Sequence, residues 1–359
     1  MKNPFTHTPG RVGDANIETD KELEIYNNFE YDVPSEAVYK IVGIRGSGKT
    51  VILGNILRHY RNEEMKKLGW LVYDLSSARN LIKTLISYLS LEPEVRAKLL
   101  TEKASVSLNT PIISASLNLN NDYSDEEVQL EQLLSILVKS GKKILIGIDD
   151  VAKTEEMTQF CSVFAKFLRY EISEEDPRPW PVYLICTGIY KNLFELGEAP
   201  NLTFFKRAAE IKTEPFSIPA MSLKYEITLD VNEEEAIKLA RMTKGFAYAY
   251  QVLGSAYFAN RSSNLDYILK VAKGDLFSHC YEKIWSELPE GEREILRIVS
   301  SGAKKRQDVL LEMKNKNSYQ VNSNSLKKQG LLEDSAASYG VAEITLPFFG
   351  EYIEKYAME

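Results

Sequence analysis

The run Gly43-Ile44-Arg45-Gly46-Ser47-Gly48-Lys49-Thr50 puts glycines, a lysine and a hydroxyl at a spacing that suits the holding of a phosphate chain. Backbone N–H groups must curl around the anion, and Gly43, Gly46 and Gly48 allow that close approach where side chains would obstruct it. Lys49 supplies a point charge for the β- and γ-phosphates, and Thr50 offers its hydroxyl to Mg²⁺. A helix beginning at the loop would aim its positive dipole end at the same anion. Gly43, Gly46, Ser47, Gly48, Lys49 and Thr50 are therefore the expected ATP-binding residues.

A second chemistry lies about a hundred residues on, where Lys143-Ile144-Leu145-Ile146-Gly147-Ile148-Asp149-Asp150 is an apolar run ending in paired carboxylates. Such a strand, adjacent to the one that precedes the loop, would deliver Asp149 to the Mg²⁺ shell, and Asp150 would orient the water that attacks the γ-phosphate. The metal ligands expected are thus Thr50 and Asp149. The run Pro181 to Gly188 ends in another polar group, Thr187. Its hydroxyl has two readings, contact with the γ-phosphate or the attacking water, and capping of a helix that starts near Ile189.

These residues need strands that stop where they begin. Ala37 to Val42 reads as a short buried strand running into the loop, and Val51, Ile52, Leu53, Ile56, Leu57 and Tyr60 follow helical spacing after it. Trp70 to Asp74 is a second strand, followed by helical spacing from Leu81 to Leu89, and Ala209 to Lys212 is a fifth short strand. The alternation implies an α/β domain with a parallel sheet covered on both faces and ligand at the carboxyl ends of its strands. Ser105 to Asn121 breaks the rhythm by alternating polar and apolar residues around Asn109-Thr110-Pro111. It reads as a β-hairpin insertion, either a contact device or an extension of the scaffold.

The chain has 359 residues, 44% hydrophobic and 26% charged, which suits two or three globular domains. It contains no apolar run long enough to span a bilayer and no apolar leader after Met1, so a cytoplasmic protein without membrane contact is expected. Cys161, Cys186 and Cys280 are widely spaced and odd in number, and His7, His59 and His279 form no ligand spacing with them, so neither disulfides nor zinc is implied. The net charge of -7 argues against nonspecific coating of nucleic acid by the whole surface and leaves room for a local basic patch.

Asn3-Pro4-Phe5-Thr6, the Gly43 to Thr50 loop, the Ile144 to Asp150 strand, the Thr187 strand end, Phe204-Phe205-Lys206-Arg207 before Pro215-Phe216-Ser217, and Gly245-Phe246-Ala247-Tyr248 together resemble bacterial AAA+ P-loop ATPases related to the replication-initiator and STAND groups. The resemblance implies an N-terminal linker near adenine over 1–30, with Arg11 to Ile17 at the base, a core over 31–217, a helical lid over 218–275 and a winged-helix domain over 276–359. It also makes Arg207 a candidate arginine finger acting across a homo-oligomer interface, the alternative being a surface arginine paired with Glu210 or a nearby carboxylate. Two departures, Asp150 where the family commonly has Glu and no arginine within Gly245 to Tyr248, point to slow ATP hydrolysis.

The residues support a lid of helices, including Glu233 to Met242 and Ala247 to Phe258. Near the C-terminus, helices at Glu292 to Ser300, Arg306 to Met313 and Ser318 to Gln329 precede two wing strands, Leu331 to Asp334 and Val341 to Leu346. Between Ala303 and Lys328, the cations Lys304, Lys305, Arg306, Lys314, Lys316, Lys327 and Lys328 outnumber Asp308 and Glu312. That excess suits duplex DNA bound through 303–328, with Tyr319, Gln320, Asn322 and Asn324 offered to base edges. A winged helix that contacts an unknown protein partner or inhibits its own chain is the alternative.

Overall fold

The computed structural model describes residues 2–8, 10–78, 80–106, 123–335 and 340–357. The chain forms two compact units, one built from Asp20–Val42 and Ile52–Ile211, the other from Met1–Thr19, Gly43–Val51 and Lys212–Glu359.

The first unit is an α/β domain. Its strands are β1 (Val38–Val42), β2 (Trp70–Ser76), β3 (Lys143–Asp149), β4 (Val182–Gly188) and β5 (Ala209–Lys212), in the order β2-β3-β4-β1-β5. The β2–β3, β3–β4 and β4–β1 pairings are parallel, as strands joined by helices require. Side chains alternate between two apolar clusters. Ile144, Ile146, Ile148, Leu184 and Cys186 join one, and Ile41, Leu145, Tyr183 and Ile185 join the other. This period of two, buried on both sides, is why the strands read as continuous apolar runs. The register sets Ile41 opposite Thr187 and Ile148 opposite Cys186, so the polar ends of β3 and β4 lie side by side where β1 leaves for the loop.

Three local expectations change. β4 lies between β3 and β1 and pairs with both, so the strand that ends in Asp149 is not adjacent to the one that precedes the loop. The helix Leu23–Phe29 forms inside the stretch read as a linker, with Ile25 and Phe29 buried. Ser105 and Val106, read as the start of the hairpin insertion, end the helix Pro93–Val106, and the rest of 105–121 lies outside the described residues.

The second unit is mainly helical and has one apolar core. Ile218–Leu229, Glu233–Met242, Ala247–Ala259 and Leu265–Leu276 are helices, three of them started by side-chain caps from Ser217, Asn232 and Asn264. The N-terminal segment is strapped onto them. Phe5 packs against Tyr225 and Tyr250, the Thr6 amide donates to Gln251, and the Tyr250 hydroxyl donates to the Ala15 carbonyl. Leu265–Leu276 continues through a wide π turn, Phe277–Tyr281, into Glu282–Glu287.

Beyond it come the helices Glu290–Val299, Arg306–Glu312 and Tyr319–Gln329, then β7 (Leu332–Asp334) and β8 (Val341–Ile344). A short strand that periodicity could not reveal, β6 (Lys304–Lys305), pairs with β8, giving an antiparallel sheet of order β6-β8-β7. The turn read from the sequence as a wing tip, at Ser338 and Tyr339, lies outside the described residues. Phe349–Tyr356 closes the module, its Phe349 ring 4.9 Å from Tyr281.

Candidate functional site

The loop is built as the sequence requires. β1 ends at Val42, the loop follows, and the helix Lys49–Tyr60 begins at the lysine. Gly46 and Gly48 adopt φ of 83° and 95°, in the left-handed region that favours glycine. A Cβ at Gly43 would collide with the hydroxyl oxygen of Thr213. Lys49 is buried, and its ammonium donates to the carbonyls of Gly43 at 3.0 Å and Ile44 at 2.8 Å. A cation held inside a glycine loop at a helix start fits the phosphates of a nucleoside triphosphate.

Neighbours from far along the chain hold this loop. The Tyr248 amide donates to the Gly46 carbonyl at 3.1 Å, and the Thr213 hydroxyl donates to Ser47 Oγ at 2.8 Å. Glu287 pairs with Arg45 at 3.2 Å, and Cys280 Sγ lies 3.6 Å from the Arg45 carbonyl. Burial pushes the Cys280 thiol up to about 12, against the opposing pull of the Arg45 and Lys49 charges, so it stays protonated and able to donate. Around Gly46 a Cβ would meet Phe246 at 2.8 Å and Tyr248 at 3.0 Å, so the loop has no room to spare on that side. None of Thr213, Tyr248, Cys280 or Glu287 was singled out for this role in the sequence. Their only trace there is the aromatic pair in Gly245 to Tyr248.

At the ends of β3 and β4, Thr187 is fully buried and joins both carboxylate residues. Its hydroxyl donates to Asp149 Oδ1 and accepts from the Asp150 amide at 3.0 Å, while its carbonyl accepts from the Val151 amide at 2.8 Å. Asp150 has φ of 51°, a left-handed conformation that aspartate tolerates better than most residues. The helix Tyr190–Gly197 starts at Ile189 without a side-chain cap, so the Thr187 hydroxyl serves the Asp149 carboxylate and the Asp150 amide and not that helix. Asp74, on β2, joins the group electrostatically. Desolvation raises its pKa, the Arg61 charge opposes this, and the Asp149 charge raises it further. Among the described residues no cluster of three or more His, Cys, Asp or Glu side chains could hold a metal ion. Thr50, in the loop, and Asp149, at the end of β3, each carry an oxygen of the kind a hard cation with phosphate ligands takes.

Arg207 is exposed at the end of the short helix Thr203–Arg207. Glu210, its expected partner in the alternative reading, pairs instead with the buried Lys40 of β1 at 3.1 Å. The Lys40 ammonium also donates to the Lys206 carbonyl and lies over the Phe205 ring, so this helix is fixed to the sheet immediately before Arg207.

In the C-terminal module, Lys304 pairs with Glu312 and Lys327 with Asp334 at 2.7 Å each, which neutralises two of the expected cations. Lys305, Arg306, Lys314, Lys316 and Lys328 are exposed. Tyr319 is buried beneath Arg306, and Asn322 packs on Gly291, so these two do not face outward. Gln320 and Asn324 do, with Val321 between them.

Known structures share this fold. No family model matches the chain, and no curated protein matches it. The Walker-type ATPase PABY2304 of Pyrococcus abyssi is similar with a TM-score of 0.62 at 17% identity, over 98% of this chain and 99% of that one. The ORC2 protein of Aeropyrum pernix in its ADPNP–ADP complexes gives 0.58 at 12% identity, over 99% and 95%. Its ADP form gives 0.50 at 14%, over 96% and 95%. The chain thus has the α/β fold of the AAA+ P-loop ATPases, with helical elements following the sheet.

Proposed function

We propose that this protein binds ATP with Mg²⁺, hydrolyses it slowly, and uses its nucleotide state to control assembly and the presentation of a C-terminal winged helix to DNA. In this reading the Gly43 to Thr50 loop holds the phosphates, Thr50 and Asp149 bind the metal, and Asp150 orients the attacking water. Thr187 positions the two carboxylates, and Arg207 acts on the γ-phosphate of a neighbouring subunit. The observation that carries nucleotide binding is Lys49, buried and turned into a loop whose Gly46 and Gly48 are left-handed. The similar ORC2 protein was solved with ADPNP and ADP, which agrees.

Coupling to the C-terminal module is supported by the contacts on the loop. Tyr248 and Glu287 hold Gly46 and Arg45, and the helix run that carries Glu287 also carries Tyr281, whose hydroxyl donates to the Pro347 carbonyl. A phosphate chain that shifts the loop backbone would act on this run directly. The same contacts favour a second reading, a STAND-like signalling ATPase in which the winged helix inhibits its own chain until a protein partner releases it.

The test is calorimetric titration of the full chain with ATP and Mg²⁺, followed by turnover and by solution mass with ATP and with ADP. Saturable ATP binding, turnover and ATP-dependent assembly are expected. No binding overturns the reading, and a monomer with both nucleotides favours the second one. For Arg207, mixing Arg207→Ala with Asp150→Asn subunits should restore part of the activity, and no restoration in a confirmed mixed oligomer rejects the finger.

A further inference from the structure

We infer that the outward face of the helix Tyr319–Gln329 reads A·T base pairs in the major groove of duplex DNA, an inference that rests on the DNA reading proposed above. On this helix Asn324 neighbours both Gln320, at i,i+4, and Val321, at i,i+3, and all three are exposed. Val321 is 71% exposed, an apolar side chain left in water, on a helix that closely follows the exposed Lys316 and whose first residue, Tyr319, has its ring beneath the exposed Arg306. Those cations suit a polyanion, and their charge complements a phosphate backbone.

The polar pair narrows the target. Gln320 Nε2 donates to Asn324 Oδ1 at 3.0 Å, which locks the two amides against each other. The lock leaves the Gln320 carbonyl as an acceptor and the Asn324 amino group as a donor, side by side. If both amides were turned over, one acceptor and one donor would still remain. In the major groove adenine offers one donor, N6–H, and one acceptor, N7, whereas guanine offers two acceptors, O6 and N7. The locked pair matches adenine and turns an acceptor toward guanine O6. Val321 stands one residue along, where a branched apolar side chain would meet the thymine methyl and find no counterpart on cytosine. Both contacts select the same base pair.

The experiment measures fluorescence anisotropy of the full chain with ATP and Mg²⁺ on short duplexes. These carry an A·T core, a G·C core, or the A·T core with deoxyuridine in place of thymidine, which removes only the methyl. The A·T duplex should bind about tenfold tighter than the G·C duplex. Deoxyuridine should lose about threefold. Val321→Ala should bring the thymidine and deoxyuridine duplexes together, and Asn324→Ala should remove most of the A·T preference. Both side chains are exposed, and unchanged melting of each variant confirms that folding is not at issue. Equal, salt-sensitive binding to all three duplexes would overturn the base readout and leave the DNA reading standing. An A·T preference indifferent to deoxyuridine and to both variants would also overturn it, because groove shape alone would then explain the preference. No binding to any duplex at low salt would overturn both readings.

Discussion

At the phosphate loop the polar groups are held by residues from far along the chain, with Tyr248 on Gly46, Thr213 on Ser47 and Glu287 on Arg45. At the ends of β3 and β4 the polar groups hold one another instead, since the single Thr187 hydroxyl serves both the Asp149 carboxylate and the Asp150 amide. The first arrangement can be exchanged contact by contact, which suits a part that must respond to a ligand. The second stands or falls as a unit, which suits groups that must keep one geometry through a reaction. Under the proposed function, the loop would serve binding and signalling, and the strand ends chemistry.

The largest effects should split along that line. Lys49→Ala should weaken ATP binding by at least about a hundredfold. Asp150→Asn should leave affinity within about threefold and lower turnover by about a hundredfold or more. Calorimetry and a phosphate-release assay on the two variants decide this, and equal loss of affinity in both would erase the distinction.

Next in size is Thr187→Val, which keeps the shape and removes the hydroxyl. It strips a partner from a part-buried amide and a carboxylate, so thermal or urea unfolding should show a loss of about 1–3 kcal/mol. Turnover should fall with it. Unchanged stability would mean that the hydroxyl does not hold the strand ends together.

A smaller effect is expected at the loop. The Arg45–Glu287 pair is part-exposed and worth up to about 1 kcal/mol, so Glu287→Gln should tighten ATP binding by no more than about fivefold, and less at high salt. A large loss of affinity there would show that the contact builds the site and does not restrain it.

The smallest effect is a pH slope from the N-terminal strap. Burial is the main cause lowering the His7 pKa below its ordinary 6.5, with Asp275 opposing and His279 adding to the shift. The unfolded chain then takes up the His7 proton more readily than the folded one, so stability is full above about 6.5 and declines as pH falls through and below that value. His7→Gln should flatten this slope in melting curves recorded across that range.

The loop was legible because phosphate binding demands particular residue types in consecutive positions, and Gly43 to Thr50 supplies them without help from distant residues. The sheet was legible because β1, β3 and β4 are buried on both faces and leave apolar runs in the sequence. What could not be read depends on partners that only the fold brings together. Lys40 looks like a polar interruption of a strand until Glu210 and the Lys206 carbonyl meet it. Thr187 becomes a link between the Asp149 carboxylate and the Asp150 amide only through the parallel register of β3 and β4. Composition offered Tyr319 and Asn322 to DNA, but the rotation of their helix turns them inward and presents Val321. β6 has two residues, too few for any periodic signal.

The central claim is that nucleotide at the loop acts on the contacts that tie it to the lid and the C-terminal module. Amide hydrogen exchange of the full chain reads this directly at Tyr248, whose N–H donates to Gly46. Saturating ATP with Mg²⁺, compared with ADP, should change protection at Tyr248 and along Tyr319–Gln329 in the wild-type chain and leave Lys49→Ala unaffected. Unchanged protection at both places, under ATP concentrations shown by calorimetry to saturate the protein, would contradict it.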